Sequence, residues 1–353
     1  MTSLKHIKTF KASFYSYFEM TKFDLSKKLD DFNTKRREPA VERMSAERRA
    51  ELEDYVKEYT RFLDRCRTAD LVGEWAVSVA EKSGFQDMGE SDETTKNMYY
   101  LNEDHTTFAL VRKGKKPMEE GVRVICTHTD APALRIKTNP ILFNLDFEDQ
   151  HVHLGAELDT FAFGGITNHQ WVARDVDVMG WAVRNGRRKR IKFPGVIPDI
   201  SCHVDNRVYE REELGDAIKQ EHLDIVTGYP GFKELLKAFK FKSAEEFAMA
   251  RLWAVPINRP RRLHNLITGY GHDDRSCTYA AMQAILGIKN PRYTTVVIGF
   301  DNEEIDSPGK DAAKGNLFER IMFQLCELEG YEPSSLNMHL LHNIYENSMA
   351  LFW

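Results

Sequence analysis

The chain has no apolar run near the ~20 residues that a helix needs to cross a bilayer, so a helical membrane span is excluded. Its five cysteines (Cys66, Cys126, Cys202, Cys277 and Cys326) are scattered, and none has C-x-x-C spacing. Such a set builds neither a disulfide framework nor a thiolate metal site, and it suits a reducing compartment. The opening MTSLKHIKTFKASF lacks the apolar core of a secretory signal, and a cytoplasmic location is expected. Positive charge is not in excess: 49 Lys and Arg face 54 Asp and Glu, for a net −5. No global field therefore draws nucleic acid, and neither nucleic acid nor membrane is expected as a partner. The phosphate-cradling patterns G-x-x-x-x-G-K-[ST] and G-x-G-x-x-G are missing, as is the G-x-S-x-G elbow of many serine hydrolases.

What is there is ordinary globular sequence, with 353 residues, 42% of them hydrophobic and 29% charged. That length suits two domains, or one large domain with an insertion. In AERRAELEDYVKEYTRFLDRC, Leu52, Tyr55, Val56, Tyr59, Phe62 and Leu63 make one helical face. A second helix is expected from about Asp70 to Ser83, closed by Gly84. From about Asn97 the period becomes that of strands, and GVRVICTHTD runs a strand into His128, Asp130 and Pro132. Residues 141–261 consist mostly of short β-like pieces, with an Asn185-Gly186 hairpin turn and a Ser243/Glu246 capping box. The basic run Arg187 to Arg190 reads as a solvated face. After residue 262 the α/β pattern returns: a helix from about Arg275 to Leu286, the buried strand TTVVIGF, and a long helix over Ala312 to Glu329. The simplest architecture is a discontinuous α/β domain, 1–140 plus 262–353, carrying a β-rich insert at 141–261.

Three polar clusters stand at strand ends or helix starts, where α/β sheets build their sites. In CTHTDAP, His128 and Asp130 share a strand face, so the carboxylate can orient a metal-binding imidazole; a strand-end histidine in a solvated turn remains the alternative. In GYGHDDRSC, Asp273 and Asp274 adjoin each other before a helix. Two adjacent carboxylates suit a cation site, and they equally suit an N-cap. In VVIGFDNEEIDSPG, a strand delivers Asp301, Glu303, Glu304 and Asp306, as a ligand and a proton carrier side by side or as a solvated acidic turn. His151 and His153 have metal-like spacing, and read as an exposed strand. A histidine and carboxylates without thiolates suit paired zinc-like ions that activate water against a carbonyl, with a glutamate as general base.

Taken together these motifs resemble the aspartyl aminopeptidase / aminopeptidase I family of dinuclear zinc metallopeptidases, its bacterial aminopeptidase I branch above all. THTDAPALRIKTNP is similar to its first metal motif, GHDDRSCTYAAMQA to its aspartate-pair helix start, and GFDNEEIDSPG to its D-x-E-E signature. The stretch FAFGGITNHQWVARDVDVMGWAV is similar to its glycine pair followed by an aromatic and an R-D stretch. The resemblance implies a three-layer αβα zinc-exopeptidase-like catalytic domain with an inserted β-rich oligomerisation domain. It implies His128, Asp273 and Glu304 as metal ligands, Asp273 bridging two ions, with zinc as the expected metal and cobalt or manganese as substitutes. It implies Glu303 as general base, Asp130 as the residue orienting His128, and His203 as a group reaching a neighbouring subunit's site to stabilise the tetrahedral intermediate. The implied substrates are peptides with a free amino terminus, and the implied assembly is a dimer-based homo-oligomer, up to a dodecamer. Family members continue past the position of Trp353 and draw an Asp and a late His from that part. A C-terminally incomplete chain is therefore expected, and two alternatives stand beside an active aminopeptidase: a non-catalytic assembly or binding protein, and a metal-dependent deacylase or carboxypeptidase. Asp306 lies where the family usually has Gly.

Overall fold

The computed structural model describes residues 41, 43–89, 98–141, 156–199, 217–306, 309, 312, 314–331 and 338–352. The chain divides into two compact units, 1–57 and 58–353, and the fold and site lie in the second.

In chain order the elements are helices α1 (Ala46–Arg65) and α2 (Ala69–Lys82), then strands β1 (Gln86–Asp87), β2 (Met98–Glu103), β3 (Thr107–Arg112) and β4 (Arg123–His128). Strands β5 (Ala133–Ile141), β6 (Glu157–Phe163), β7 (Arg174–Arg184), β8 (Arg187–Ile197) and β9 (Ile225–Val226) follow. Next come α3 (Phe232–Ala238), α4 (Ala244–Ala248), β10 (Arg251–Pro256), and the small pair β11 (Arg261–Leu263) and β12 (Leu266–Thr268). The chain closes with α5 (His272–Gly287), β13 (Thr295–Phe300), α6 (Leu317–Leu328), α7 (Met338–Asn347) and β14 (Met349–Phe352).

One sheet has the order β1-β2-β3-β13-β4-β14. Alternation along β13 sends Val296, Ile298 and Phe300 to one face and Val297 to the other, as a period of two requires. The first face is covered by Leu317, Ile321, Met322 and Leu325 of α6 and by Ile344 of α7. The second is covered by Phe62 of α1, Val72, Ala76 and Ala80 of α2, and Tyr279, Met282 and Ile285 of α5. Helices on both faces make the three-layer αβα arrangement that the family resemblance implies. Here α6 starts at Leu317, later than the Ala312 read from sequence.

The other strands close a barrel in the order β10-β5-β6-β9-β8-β7. Its interior is filled by Leu134, Leu158, Val176, Val178, Phe193 and Leu252, with Phe247 of α4 packed alongside. The barrel opens with β5 at Ala133, ahead of the boundary read at 141. The Asn185-Gly186 turn joins β7 to β8 with both residues at positive φ, 52° and 71°, as a type I′ turn needs. The backbone N–H of Glu246 donates to Ser243 Oγ at 3.2 Å, so Ser243 caps the helix, while the Glu246 carboxylate accepts from the Lys242 N–H at 2.6 Å and leaves the expected box half formed.

The basic run is not simply a solvated face. The Arg190 guanidinium pairs with Asp70 and Glu74 of α2, and Arg188 donates to the Asp104 carbonyl at 2.8 Å. Alternation along β8 turns these two arginines together, and Asp70, only 3% exposed, is a buried charge that needs a cation.

Candidate active site

Strands β4 and β13 run parallel, with His128 opposite Phe300. Their carboxyl ends therefore stop level, and the residues that follow each strand share one site. The Thr129 N–H donates to the Phe300 carbonyl at 2.8 Å and keeps the two exits together.

His128 is 5% exposed and occupies the centre. Its Nε2 lies 3.1 Å from Asp273 Oδ1 and 3.7 Å from Glu303 Oε2. Its Nδ1 lies 3.3 Å from Asp130 Oδ1 and 3.2 Å from the Asp130 carbonyl. Burial alone would lower this imidazole, but the Asp130 hydrogen bond and the charges of Asp130, Asp274 and Glu303 raise it to about 9.

Asp130 is buried as well, and its carboxylate accepts the backbone N–H groups of Glu303 at 3.3 Å and Glu304 at 3.1 Å. Two adjacent glutamates can serve one site only if the backbone turns, and Asn302 supplies the turn at φ 60°. Glu304 is pushed up to about 7, first by burial and then by the neighbouring charges of Asp130, Asp273 and Glu303. Asp301, 9% exposed, is pushed up to about 6 by burial and by Asp130.

Helix α5 brings the aspartate pair. Asp273 and Asp274 have non-helical torsions, so the regular helix begins after them. Asp273 is 86% exposed at its side chain and faces His128. Asp274 is buried and accepts the His128 backbone N–H at 3.2 Å, while Thr278, one turn along, donates to the His128 carbonyl at 2.9 Å. The N-cap of the whole helical segment is Gly271, so the aspartate pair lies inside it.

Of the six residues to which the resemblance gives roles, five come together here: His128, Asp130, Asp273, Glu303 and Glu304. His203 lies outside the described residues, as do His151 and His153. Sequence reasoning gives no role to three participants. It treats Asp274 only as half of a pair, and Asp301 only as part of an acidic turn. Gly164, at φ 76°, packs so closely that an added Cβ would sit 3.1 Å from Glu304 Cβ and 3.2 Å from Glu304 Oε2. The Gly164-Gly165 pair is the available signal for it.

One imidazole ringed by carboxylates is a borderline-to-hard donor set, and it fits zinc in kind. In number it is short: among the described residues no three His, Cys, Asp or Glu side chains form a ready ligand cluster. The surplus of carboxylates, with Glu304 displaced upward, is the electrostatic imprint of a place that needs a cation.

A three-layer αβα sheet with a histidine-carboxylate cluster at the carboxyl ends of its central strands defines a zinc-exopeptidase-like protein. Solved structures share the fold: the M18 aminopeptidase of Thermotoga maritima superposes with a TM-score of 0.75 at 24% identity, over 85% of this chain and 69% of that one. Aminopeptidase I of Borrelia burgdorferi gives 0.70 at 21%, over 90% and 75%. The mApe1 dodecamer of S. cerevisiae gives 0.62 at 19%, over 85% and 71%. The family profile described as aminopeptidase I zinc metalloprotease (M18) matches residues 62–246 and 262–351, and the chain belongs to that family. In sequence it is 29% identical to the probable M18 family aminopeptidase 1 of Borrelia garinii over 78% of this chain, and 26% identical to that of Thermotoga maritima over 86%. The chain spans 64% and 69% of those relatives' lengths, about two thirds.

Proposed function

We propose that the chain is a metal-dependent aminopeptidase acting on peptides with a free amino terminus. The observation that carries this reading is the His128 imidazole held between Asp130 on one nitrogen and Asp273 and Glu303 on the other. His128, Asp273 and Glu304 would hold the metal, with zinc as the expected ion. Bound there, zinc supplies positive charge that lowers the pKa of water and polarises a carbonyl.

The remaining chemistry falls to side chains. Glu303, half exposed and on the open side of His128, takes the proton from the attacking water and returns it to the departing amine. Asp130 fixes the tautomer of His128, since a carboxylate on Nδ1 leaves Nε2 as the donor nitrogen. The acidic surroundings attract the substrate's ammonium group. His203 is proposed to act in a neighbouring subunit's site, and the barrel to mediate a dimer-based homo-oligomer. Free thiols at Cys66, Cys126, Cys277 and Cys326 support the expected cytoplasmic location.

The test is to saturate the purified chain with zinc, cobalt or manganese, measure bound metal, and assay peptides with free and acetylated amino termini. The reading requires metal near stoichiometric amounts and cleavage of the free-amino peptide alone. Less than about 0.2 metal ions per chain, with no cleavage, would leave the non-catalytic alternative.

A further inference from the structure

The groove that holds Asp273 also holds Arg174, the first residue of β7, with Ile166, Gln170, Trp171 and His272 among its walls. The other arginines that link barrel and helices have carboxylate partners: Arg67 pairs with Asp177, Arg184 with Glu246, and Arg190 with Asp70 and Glu74. Arg174 has none among the described residues. Its guanidinium carbon lies 6.0 Å from the Trp171 ring centre, and Trp171 is 5% exposed and packed into the barrel core. The ring gives the guanidinium a fixed floor and leaves its N–H donors to be used by something else.

The groove thus has two charges of opposite sign. Asp273, beside Glu303 and His128, is its acidic part, and Arg174 is its cation, without a carboxylate partner among the described residues. A short peptide carries the complementary pattern, an ammonium at one end and a carboxylate about 3.5 Å further on for each residue. The planar fork of an arginine matches a carboxylate with two parallel hydrogen bonds. Ile166 offers an apolar wall for the side chain between.

We propose that Arg174 is a specificity-determining residue that binds a carboxylate on the leaving side of the substrate, because among the described residues it is the cation of the groove that holds Asp273 and it has no carboxylate partner there. The preferred substrates are then short peptides with a free carboxyl terminus, or peptides with an acidic residue just after the cleaved bond. The inference rests on the aminopeptidase reading, and a binding measurement separates the two.

The full chain carrying E303Q, supplied with zinc, is titrated calorimetrically with alanyl-alanine, its carboxamide, alanyl-glutamate carrying an alpha-carboxamide, and N-acetyl-alanyl-alanine. The carboxylate-bearing peptides should bind about tenfold more tightly than alanyl-alanine amide, as a charge-assisted hydrogen bond gives. A gain for alanyl-alanine alone assigns the terminal carboxylate, and a gain for the glutamate peptide alone assigns the side chain. R174M should abolish the difference, and R174K should keep part of it. Equal binding of acid and amide forms overturns the proposal, and so does an R174M chain, or a folded R174K chain if R174M fails to fold, that discriminates as well as or better than its parent. If the acetylated peptide binds as well as the free one while the carboxylate preference persists, the arginine site stands and the aminopeptidase reading falls. No binding of any peptide overturns both.

Discussion

Asp130 Oδ2 lies 3.1 Å from the backbone nitrogen of Glu304, although 174 positions separate the two residues in sequence. The same carboxylate reaches His128 Nδ1 through Oδ1. One side chain therefore ties the end of β4 to the turn after β13, and it sets the imidazole and both glutamates at once. Asp130→Ala should weaken zinc binding by about 10- to 100-fold, the usual loss when the partner of a ligating histidine is removed. Competition with a chelator measures it. Unchanged affinity would mean that Asp130 only supports the turn.

Glu303→Gln keeps the size and polarity of the side chain but removes its proton affinity. Turnover should fall by at least about 10²-fold, while bound zinc stays near the parent level. Loss of metal from this variant, seen by elemental analysis, would mean that the two glutamates have exchanged roles.

Gly164→Ala puts a Cβ against Glu304 at a φ of 76°. The nearest atoms are a glutamate side chain and the Pro132 backbone at 3.2 Å, so the glutamate is what gives. Zinc affinity should drop, and stability should fall by about 1 kcal/mol from the strained φ. Denaturant unfolding and metal titration on the same sample separate the two effects.

Asp224 lies in the barrel, 7% exposed, and accepts the Thr160 N–H at 3.0 Å. Burial, reinforced by Asp159 and Glu157, pushes its carboxyl from an ordinary 3.8 up to about 7. Between those values the folded chain keeps a proton that the unfolded chain has released, so stability falls as pH rises through this window and levels off above it. Asp224→Asn keeps the acceptor without the charge. It should flatten that slope and raise stability at pH 8 by on the order of 2 kcal/mol, solvent screening of the neighbouring carboxylates included. Urea unfolding at pH 5 and pH 8 gives the comparison, and an unchanged slope would rule Asp224 out as its source.

Much of the fold is legible in the sequence. Periodicity marks α2, β4, α5 and β13, and turn chemistry marks Asn185-Gly186 and the Ser243 cap, because these depend on neighbours a few residues away. Asp306, where the family resemblance leads one to expect Gly, also has a local explanation: it takes φ 50°, a region that glycine enters freely and aspartate tolerates. The basic run on β8 misleads a local reading because its partners, Asp70, Glu74 and the Asp104 carbonyl, lie more than 80 positions away.

The sequence by itself determined which chemistry the chain carries: an imidazole and paired carboxylates at the ends of strands and the start of a helix, without thiolates or a phosphate loop. Only the tertiary structure decided that these residues meet. Strand order is set by long-range burial of apolar faces, and no local period encodes it. Because β13 inserts between β3 and β4, parallel to β4, Glu303 and Glu304 come to rest beside Asp130. The same packing brings α5 against β4, so that Asp274 and Thr278 grip the His128 backbone and Asp273 reaches its ring.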